Sequence, residues 1–304
     1  MLVKITEQGL MRAGTNKLSF DIGRAVMAAA SGRLNALFWG AIGTPKYYLA
    51  SLIHELQPPL DAYQPRFDEG RYGGVPIRNP HASITLEGML GGGPNLCYGE
   101  ATRAHNGVLL LSEAPEFRSS VLQMLSVVMN SHNITLSRAG RDATYPADFQ
   151  LVMTANSCPC GCYGNKERVC LCSARSIKLY WKKMKDVAQK CQFVIDCDIF
   201  DPDVSFNFDI DEMKRKVKKA IAFNTESVSE GAADLNSFEN APNKDYLDKL
   251  WRENNWSDKR CHLVWRVARW LANLDRSVFV RLSHIEEAAA MYQPPVVDGD
   301  LLEA

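Results

Sequence analysis

Four short apolar runs in the first two thirds of the chain are typical of buried strands. They occupy residues 34–39, 107–111, 150–155 and 193–199. Segments with apolar residues at helical spacing lie between them, at 46–56, 118–130 and 173–183. Strands that are apolar on both faces and alternate with helices indicate a parallel sheet covered by helices. The pattern therefore predicts an α/β fold, with a hairpin over 133–149.

The pattern changes after residue 208, where strand signals stop. Helices are predicted at 210–224, 244–252, 257–273 and 283–292, with a polar linker over 225–243. Ser283 is the predicted N-cap of the last helix, with Glu286 completing a capping box. We therefore expect two domains, an α/β core over 1–207 and a small all-helical lid domain over 208–304.

Composition and charge narrow the class of protein. The chain has 304 residues, with 35 Lys plus Arg and 35 Asp plus Glu, so its formal net charge is zero. This balance excludes a nucleic-acid-binding protein that is basic over its whole surface, but it does not exclude a local basic patch. No apolar run approaches the roughly 18 residues that span a bilayer, and no secretory signal is visible. The expectation is a cytoplasmic protein without a membrane partner.

The first strand and helix flank a glycine-containing turn, FWGAIGTPKYYLA. It partly matches the phosphate-binding loop G-x-x-x-x-G-K-[ST]. Pro45 replaces the last glycine and offers no N–H to a phosphate, while Tyr47 replaces the short hydroxyl that contacts magnesium. An ordinary glycine-rich turn is the alternative interpretation. The candidate nucleotide-binding residues here are Gly40, Gly43, Thr44 and Lys46.

Two further strand ends carry polar residues suited to nucleotide chemistry. HNGVLLLSEAPEF resembles a Walker B strand, with Ser112 in place of Asp and Glu113 retained. LVMTAN ends in Asn156, at the place of a sensor asparagine. Glu113 could equally be a surface carboxylate at a strand end, and Asn156 a turn residue before Cys158.

Three segments together resemble the magnesium-chelatase-like AAA+ family, which includes the competence-associated branch-migration helicase of bacteria. They are VPIRNPHASITLEGMLGGG, HNGVLLLSEAPEF and SRAGRDATYPADFQLVMTANSCPCG. The C-terminal SDKRCHLVWRVARWLANLDRSVFVRLSHIEEAAAMYQ is similar to the family's helical domain, so the resemblance covers about residues 24–293. It implies an AAA+ P-loop NTPase core with a helical lid, ATP or ADP with Mg²⁺, a homo- or hetero-oligomeric ring, and a role in DNA processing.

The resemblance also assigns roles to single residues. Glu113 takes the water-activating role, Asn156 the sensor role, and Lys259 the place of a second sensor, which is an arginine in the family. The position of the arginine finger falls on Cys191. The family's nucleotide-binding role falls on Gly40, Gly43, Thr44, Lys46 and Lys259.

Four departures affect one site. Pro45, Tyr47, Ser112 and Cys191 each replace a group that contacts phosphate, magnesium or the transition state. Because electrostatic and metal stabilisation dominates phosphoryl transfer, the sequence predicts that hydrolysis is lost or very slow and that nucleotide binding is weak. A scaffold or partner subunit follows from this. The alternative is an active ATP-dependent motor of branch-migration type.

A cysteine-rich segment follows the third strand. CPCGCYGNKERVCLC contains two C-x-C pairs that could supply four thiolates to a tetrahedral Zn²⁺: Cys158, Cys160, Cys170 and Cys172. Cys162 is extra. Reduced thiols that pack a loop are the alternative. A zinc site would also fit a binding module that retains only the fold.

Basic residues give a weaker indication of DNA contact. Arg138 and Arg141 lie on the predicted hairpin, and a lysine-rich run covers 214–219 of a predicted lid helix. A solvated helix face explains the lysine run equally well, because Asp209, Asp211 and Glu212 precede it.

Overall fold

The fold is taken from a computed structural model, which describes part of the chain. The described residues are 3–6, 9–12, 20–60, 67, 74–165, 167–200, 206–229, 244–254, 256–297 and 300–301. Residues 230–243, most of the predicted linker, lie outside them. Residues 225–229 form the end of a helix rather than a linker.

Helices and strands alternate through the first two hundred residues. The helices are α1 (Ile22–Gly32), α2 (Lys46–Leu56), α3 (Leu86–Leu90), α4 (Glu100–Arg103), α5 (Ser119–Ser131), α6 (Ala174–Lys182), α7 (Lys185–Ala188), α8 (Ile210–Ser229), α9 (Lys244–Asn254), α10 (Asp258–Leu274) and α11 (Leu282–Ala290). The strands are β1 (Val3–Thr6), β2 (Gly9–Arg12), β3 (Ala36–Gly40), β4 (Ile77–Arg78), β5 (Gly91–Gly92), β6 (Cys97–Tyr98), β7 (Val108–Leu111), β8 (Asn133–Arg138), β9 (Arg141–Pro146), β10 (Gln150–Asn156), β11 (Phe193–Asp196), β12 (Val296–Val297) and β13 (Asp300–Leu301).

The central sheet has five parallel strands in the order β11-β3-β10-β7-β4. Residues of β3, β7 and β11 are buried throughout, as their unbroken apolar sequences predict. Parallel pairing places every carboxyl end at one edge of the sheet. Gly40 at the end of β3 lies opposite Asn156 at the end of β10. The predicted α/β P-loop core, followed by a helical region, is confirmed.

An alanine-rich helix that the sequence analysis does not predict joins the two regions. Nine of the eleven residues of α1 are buried, and Asp21 caps the helix by accepting a hydrogen bond from the Gly23 amide (2.7 Å). The helix packs against α2, α8 and α10. A Cβ added to Gly32 would lie 2.4 Å from Trp270 Nε1 of α10.

The C-terminal region is helical, apart from one short pairing of Val296–Val297 with Asp300–Leu301. One expectation for this region is wrong in detail. The last helix has Arg281 rather than Ser283 at its N-cap, and the Arg281 amide donates to His284 Nδ1 (3.0 Å). No helix in the described ranges is long and apolar enough to cross a membrane.

Candidate nucleotide site and cysteine cluster

The carboxyl ends of β3, β7 and β10 bring the main predicted site residues together. Asn156 Nδ2 lies 3.4 Å from Glu113 Oε1. Glu113 has a left-handed backbone (φ 53°), and its amide donates to Thr154 Oγ1 (3.0 Å). Ligands of open parallel sheets bind at this edge. The loop after β3, Glu113 and Asn156 therefore surround one candidate site, in which their catalytic roles stay predictions.

Lys46 begins α2 and is folded into its own loop. Its ammonium is buried, with 8% of the residue exposed. It donates to the carbonyl oxygens of Gly40 (2.8 Å) and Ala41 (2.5 Å) and to Thr44 Oγ1 (3.0 Å). Burial lowers the pKa of Lys46. Since an ammonium has three donors, this arrangement leaves none for a phosphate.

Two backbone amides of the loop are also engaged by other parts of the protein. The Ala41 amide donates to Asp198 Oδ1 (2.7 Å), and the Ile42 amide donates to the Gly161 carbonyl (2.8 Å). Pro45 has no amide proton to offer. A Cβ at Gly40 would lie 2.9 Å from Asp198 Oδ1, so this glycine permits the close approach of the carboxylate. A carboxylate of the chain thus lies where a phosphate loop receives an anion.

Sequence reasoning did not single out Asp198. It follows β11, the strand next to β3, by two residues, within the short 3-10 turn Cys197–Ile199. An acidic residue just past a strand end was the available signal. It could not be weighed without the strand order, because only the pairing of β11 with β3 brings Asp198 beside the loop.

The residues present do not fit a magnesium site of the usual P-loop kind. Tyr47 is 55% exposed, and a phenol is too long for the position of a short hydroxyl. Ser112 Oγ lies 3.3 Å from Asn79 Oδ1 and provides no carboxylate. Magnesium prefers carboxylate and hydroxyl oxygens together with substrate phosphates.

Two residues assigned by resemblance lie away from this site. Cys191 is fully buried before β11, and burial raises the pKa of its thiol to about 12. A thiol is neutral and a thiolate is negative, so Cys191 does not replace the positive charge of an arginine finger. Lys259, at the start of α10, lies in a cleft with Asn35 and Gln192, which precede β3 and β11. The structure does not bring Lys259 to Lys46, because β3 runs ~16 Å from one edge to the other.

The cysteine cluster has the geometry of a tetrahedral thiolate site. The Sγ atoms of Cys158, Cys160, Cys170 and Cys172 all lie within 4.8 Å of one another. Cys158 Sγ is 3.4 Å from Cys160 Sγ and 3.6 Å from Cys170 Sγ, and Cys160 Sγ is 3.6 Å from Cys170 Sγ. Four sulfurs about 2.3 Å from a zinc ion would be separated by ~3.8 Å. The four residues therefore fit Zn²⁺.

Backbone amides orient the sulfurs. The Tyr163 amide donates to Cys158 Sγ (3.3 Å), and the Cys172 amide donates to Cys170 Sγ (3.4 Å). Such outer contacts are typical of metal ligands. Cys162 takes no part in the cluster, and its thiol donates to the Cys160 carbonyl (3.4 Å).

The cysteine loop, residues 157–172, directly contacts the loop after β3, residues 40–46, which is called the phosphate-type loop below. The Ser157 amide donates to the Gly40 carbonyl (3.1 Å), and Asn165 Nδ2 donates to the Ile42 carbonyl (3.1 Å). With the bond from Ile42 to Gly161, these contacts join the two loops. A change in the conformation of the cysteine loop is therefore expected to change the conformation of the phosphate-type loop.

The basic segments differ in how far their charges are engaged. Strands β8 and β9 form the predicted hairpin, which is thereby confirmed. Arg138 and Arg141 lie opposite each other in its register, at the exposed tip. On α8, Lys214 lies 3.5 Å from Glu55 and Lys216 lies 2.7 Å from Glu212. These ion pairs favour a solvated helix face for the lysine run.

Comparison with known proteins identifies the family. A family model described as "Magnesium chelatase, subunit ChlI" matches residues 20–197, more than half of the chain. The chain is 29% identical over 293 residues to "Uncharacterized protein YifB" of Escherichia coli, covering 88% of this chain and 57% of the relative. It is 29% identical over 291 residues to "Competence protein ComM" of Haemophilus influenzae, covering 87% of this chain and 57% of the relative.

The chain therefore spans a little over half the length of these relatives. YifB of Salmonella typhimurium is 37% identical over 163 residues, which cover 48% of this chain and 31% of that protein. The resemblance read from the sequence motifs is confirmed. The chain belongs to the magnesium chelatase family and has relatives in its competence-associated branch.

Proposed function

We propose that the chain is a magnesium-chelatase-like AAA+ module in which ATP hydrolysis is lost or very slow. One observation carries the proposal: the loop that would bind phosphate is occupied by the chain's own groups. Asp198 accepts from the Ala41 amide, and Lys46 donates to three oxygens of its own loop. The replacements at Tyr47 and Ser112 act in the same direction, because they remove groups that hold magnesium.

Such a module would act as a scaffold or partner subunit in a homo- or hetero-oligomer. The process in which this oligomer would take part is DNA processing. The family is one of AAA+ proteins, which commonly assemble into rings. A relative covering 87% of this chain is named a competence protein. Nucleotide, ATP or ADP, would bind weakly in this role and would serve assembly rather than turnover.

Phosphate release by the purified protein tests the proposal. We expect negligible magnesium-dependent ATP hydrolysis, far below the ~1–100 s⁻¹ typical of kinases. The same chain carrying Pro45→Gly, Tyr47→Thr and Ser112→Asp is the comparison. Turnover in that range by the natural chain would instead support an active motor, which the proximity of Glu113 to Asn156 favours.

We also propose that the cysteine cluster binds Zn²⁺ as a structural ion. Cys158, Cys160, Cys170 and Cys172 supply four sulfurs at near-tetrahedral separations. Burial raises the pKa of the Cys158 thiol, so a bound cation would be needed to keep it as a thiolate at neutral pH. If hydrolysis is absent and zinc is present, the chain fits a zinc-stabilised binding module that retains the fold.

Elemental analysis of protein purified without chelator tests the zinc site. We expect about one zinc per chain, lost in Cys160→Ser and retained in Cys97→Ser. Cys97 is an exposed free cysteine outside the cluster and is the matched control. Less than about 0.1 zinc per chain would contradict the site, since structural sites of this kind bind tightly.

A further inference from the structure

A second cleft lies at the edge of the sheet opposite the phosphate-type loop. It is formed between the residues that precede β3, β10 and β11 and the first turns of α10, and it has a volume of about 400 Å³. Volumes of roughly 300–1,000 Å³ are typical of small-molecule sites. The polar groups that line it include Arg33, Asn130, Lys190, Gln192, Lys259 and Arg266.

The cleft is strongly basic. Four of its lining residues are cationic, and the single carboxylate among the described lining residues, Asp148, is engaged by Arg33 (3.7 Å) and His132 (3.0 Å). Within the described ranges, Lys190, Lys259 and Arg266 form no ion pair. Arg33 Nε is buried and has no hydrogen-bond partner among the described residues.

Lys190 and Lys259 lie close to each other in the cleft. Lys190 Nζ donates to Asn130 Oδ1 (2.5 Å), which fixes its ammonium in the cleft. Burial and the neighbouring Lys259 lower the pKa of Lys190 to about 8. The two ammonium groups repel each other, and the Asp186 carboxylate offsets only part of this repulsion. A bound anion would relieve the rest.

Helix α10 adds to the positive potential. Ser257 caps it by accepting from the Arg260 amide (3.3 Å), and Lys259 lies in its first turn. Asp258 in the same turn offsets part of this potential. The amino end of a helix also carries partial positive charge, which favours a bound anion.

We propose that this cleft binds the phosphate groups of a nucleoside polyphosphate. Lys190, Lys259 and Arg266 would contact the phosphates, with Arg33 behind them. Apolar atoms of Met129, Phe149 and Leu263 line the same cleft and offer a surface for the base. Charge, size and mixed lining together distinguish this cleft from a simple basic patch. The inference stands independently of hydrolysis at the phosphate-type loop.

Titration calorimetry with inorganic tripolyphosphate, and then with ATP in the absence of magnesium, tests the proposal. We expect saturable binding to the natural chain that weakens with salt. Lys190→Ala and Lys259→Ala should each weaken it roughly tenfold, because charged hydrogen bonds to phosphate are lost. Lys190→Arg should retain binding, which shows that charge rather than folding is measured.

Two control variants locate the binding. Lys249→Ala removes an exposed lysine of α9 that pairs with Glu253, and it should leave the affinity unchanged. Lys46→Ala alters the phosphate-type loop and should also leave cleft binding intact, so failure of the proposed function does not affect this result. Adenosine without phosphates should not compete.

Three outcomes would overturn the inference. The first is absence of saturable triphosphate binding. The second is binding that Lys46→Ala abolishes and that Lys190→Ala and Lys259→Ala leave unchanged, which would assign it to the other site. The third is an equal loss in Lys249→Ala, or binding to a single-stranded oligonucleotide alone, which would indicate a non-specific basic surface.

Discussion

Asp198 accepts a hydrogen bond from the Ala41 amide and lies close to the ammonium of Lys46. Its negative charge occupies the region in which a phosphate oxygen would otherwise meet the same donors. Asp198 and a nucleotide phosphate therefore compete for one amide and one cation. At the scale of single residues, this competition adds to the effects of Pro45 and Tyr47.

Replacing Asp198 is expected to restore phosphate binding in part. In Asp198→Ala the Ala41 amide is freed, and a negative charge that repels the phosphates is removed. A fluorescent ATP analogue should therefore bind at least about tenfold more tightly. Asp198→Asn keeps an acceptor and should give a smaller gain. Asp142→Ala, at an exposed hairpin position, is the control and should leave the affinity unchanged. Equal affinities in all four proteins would show that Asp198 does not block the loop.

Gly161 joins the cysteine loop to the loop after β3. Its φ is +71°, and an added Cβ would lie 2.5 Å from the side chain of Ile42. Gly140 has a similar φ of +73°, and no atom of the described residues lies within 4 Å of an added Cβ. Both alanine variants carry backbone strain, but only Gly161→Ala also forces a clash. We expect Gly161→Ala to lose about 1–3 kcal/mol more in the free energy of unfolding. Equal losses in denaturant titrations would show that the two loops are not tightly packed.

At the scale of elements, a polar network fastens α1 to α10 and α11. The Arg24 guanidinium lies 2.7 Å from Asp275 and 2.9 Å from Glu287. His284 is buried, and its Nε2 lies 3.1 Å from Asp275 Oδ2. Burial lowers the pKa of His284 below the ordinary value of 6.5. The helix junction therefore holds a neutral imidazole.

This junction predicts a loss of stability in mild acid. Below pH ~6.5 the unfolded chain takes up a proton at this histidine that the folded chain resists, so the free energy of unfolding falls. One such group contributes at most about 1.4 kcal/mol per pH unit. Urea titrations from pH 7.5 to 5 measure the slope, which His284→Gln should reduce. His105 contributes in the same direction, because burial also lowers its pKa. His81→Gln, at an exposed position, is the control and should keep the slope of the natural chain. If His284→Gln also keeps that slope, His284 does not cause the loss of stability in acid.

At the scale of the whole molecule, the C-terminal helical region is bonded to the edge of the sheet. Trp39 Nε1 donates to the Gln293 carbonyl (2.8 Å), and the Gln293 amide donates to the Val194 carbonyl (2.6 Å). Arg260 is almost fully buried, donates to the Cys191 carbonyl (2.7 Å) and lies 3.7 Å above the Tyr292 ring. These contacts cross the predicted boundary at 207–208, which itself stays a prediction.

Removing the Arg260 side chain should weaken this attachment. Arg260→Ala loses a charged hydrogen bond, a cation–π contact and the packing of the side-chain stem, so we expect a loss of about 2–4 kcal/mol in the free energy of unfolding. Core and C-terminal helices should still unfold in one transition. Arg252→Ala, at an exposed position on α9, should cost less than about 0.5 kcal/mol. Equal effects of the two variants would show that Arg260 is not a structural link.

The amino-acid sequence by itself determined the alternation of strands and helices, the hairpin and the family. These features depend on local periodicity and on short motifs, which are present in a single sequence. The grouping of Glu113 with Asn156 also followed from it, because the carboxyl ends of parallel strands meet at one edge. The cysteine cluster was predictable from its two C-x-C pairs.

Only the tertiary structure decided which groups share a site. The order β11-β3 brings Asp198, which lies outside the phosphate-loop motif, to the Ala41 amide within it. The packing of α10 puts Lys259 beside Lys190, at the edge of the sheet away from Lys46. The alanine-rich α1 is buried against α2, α8 and α10, and only the tertiary structure shows which helices it contacts. Long-range contacts of this kind depend on strand order and helix packing, which local residue patterns do not specify.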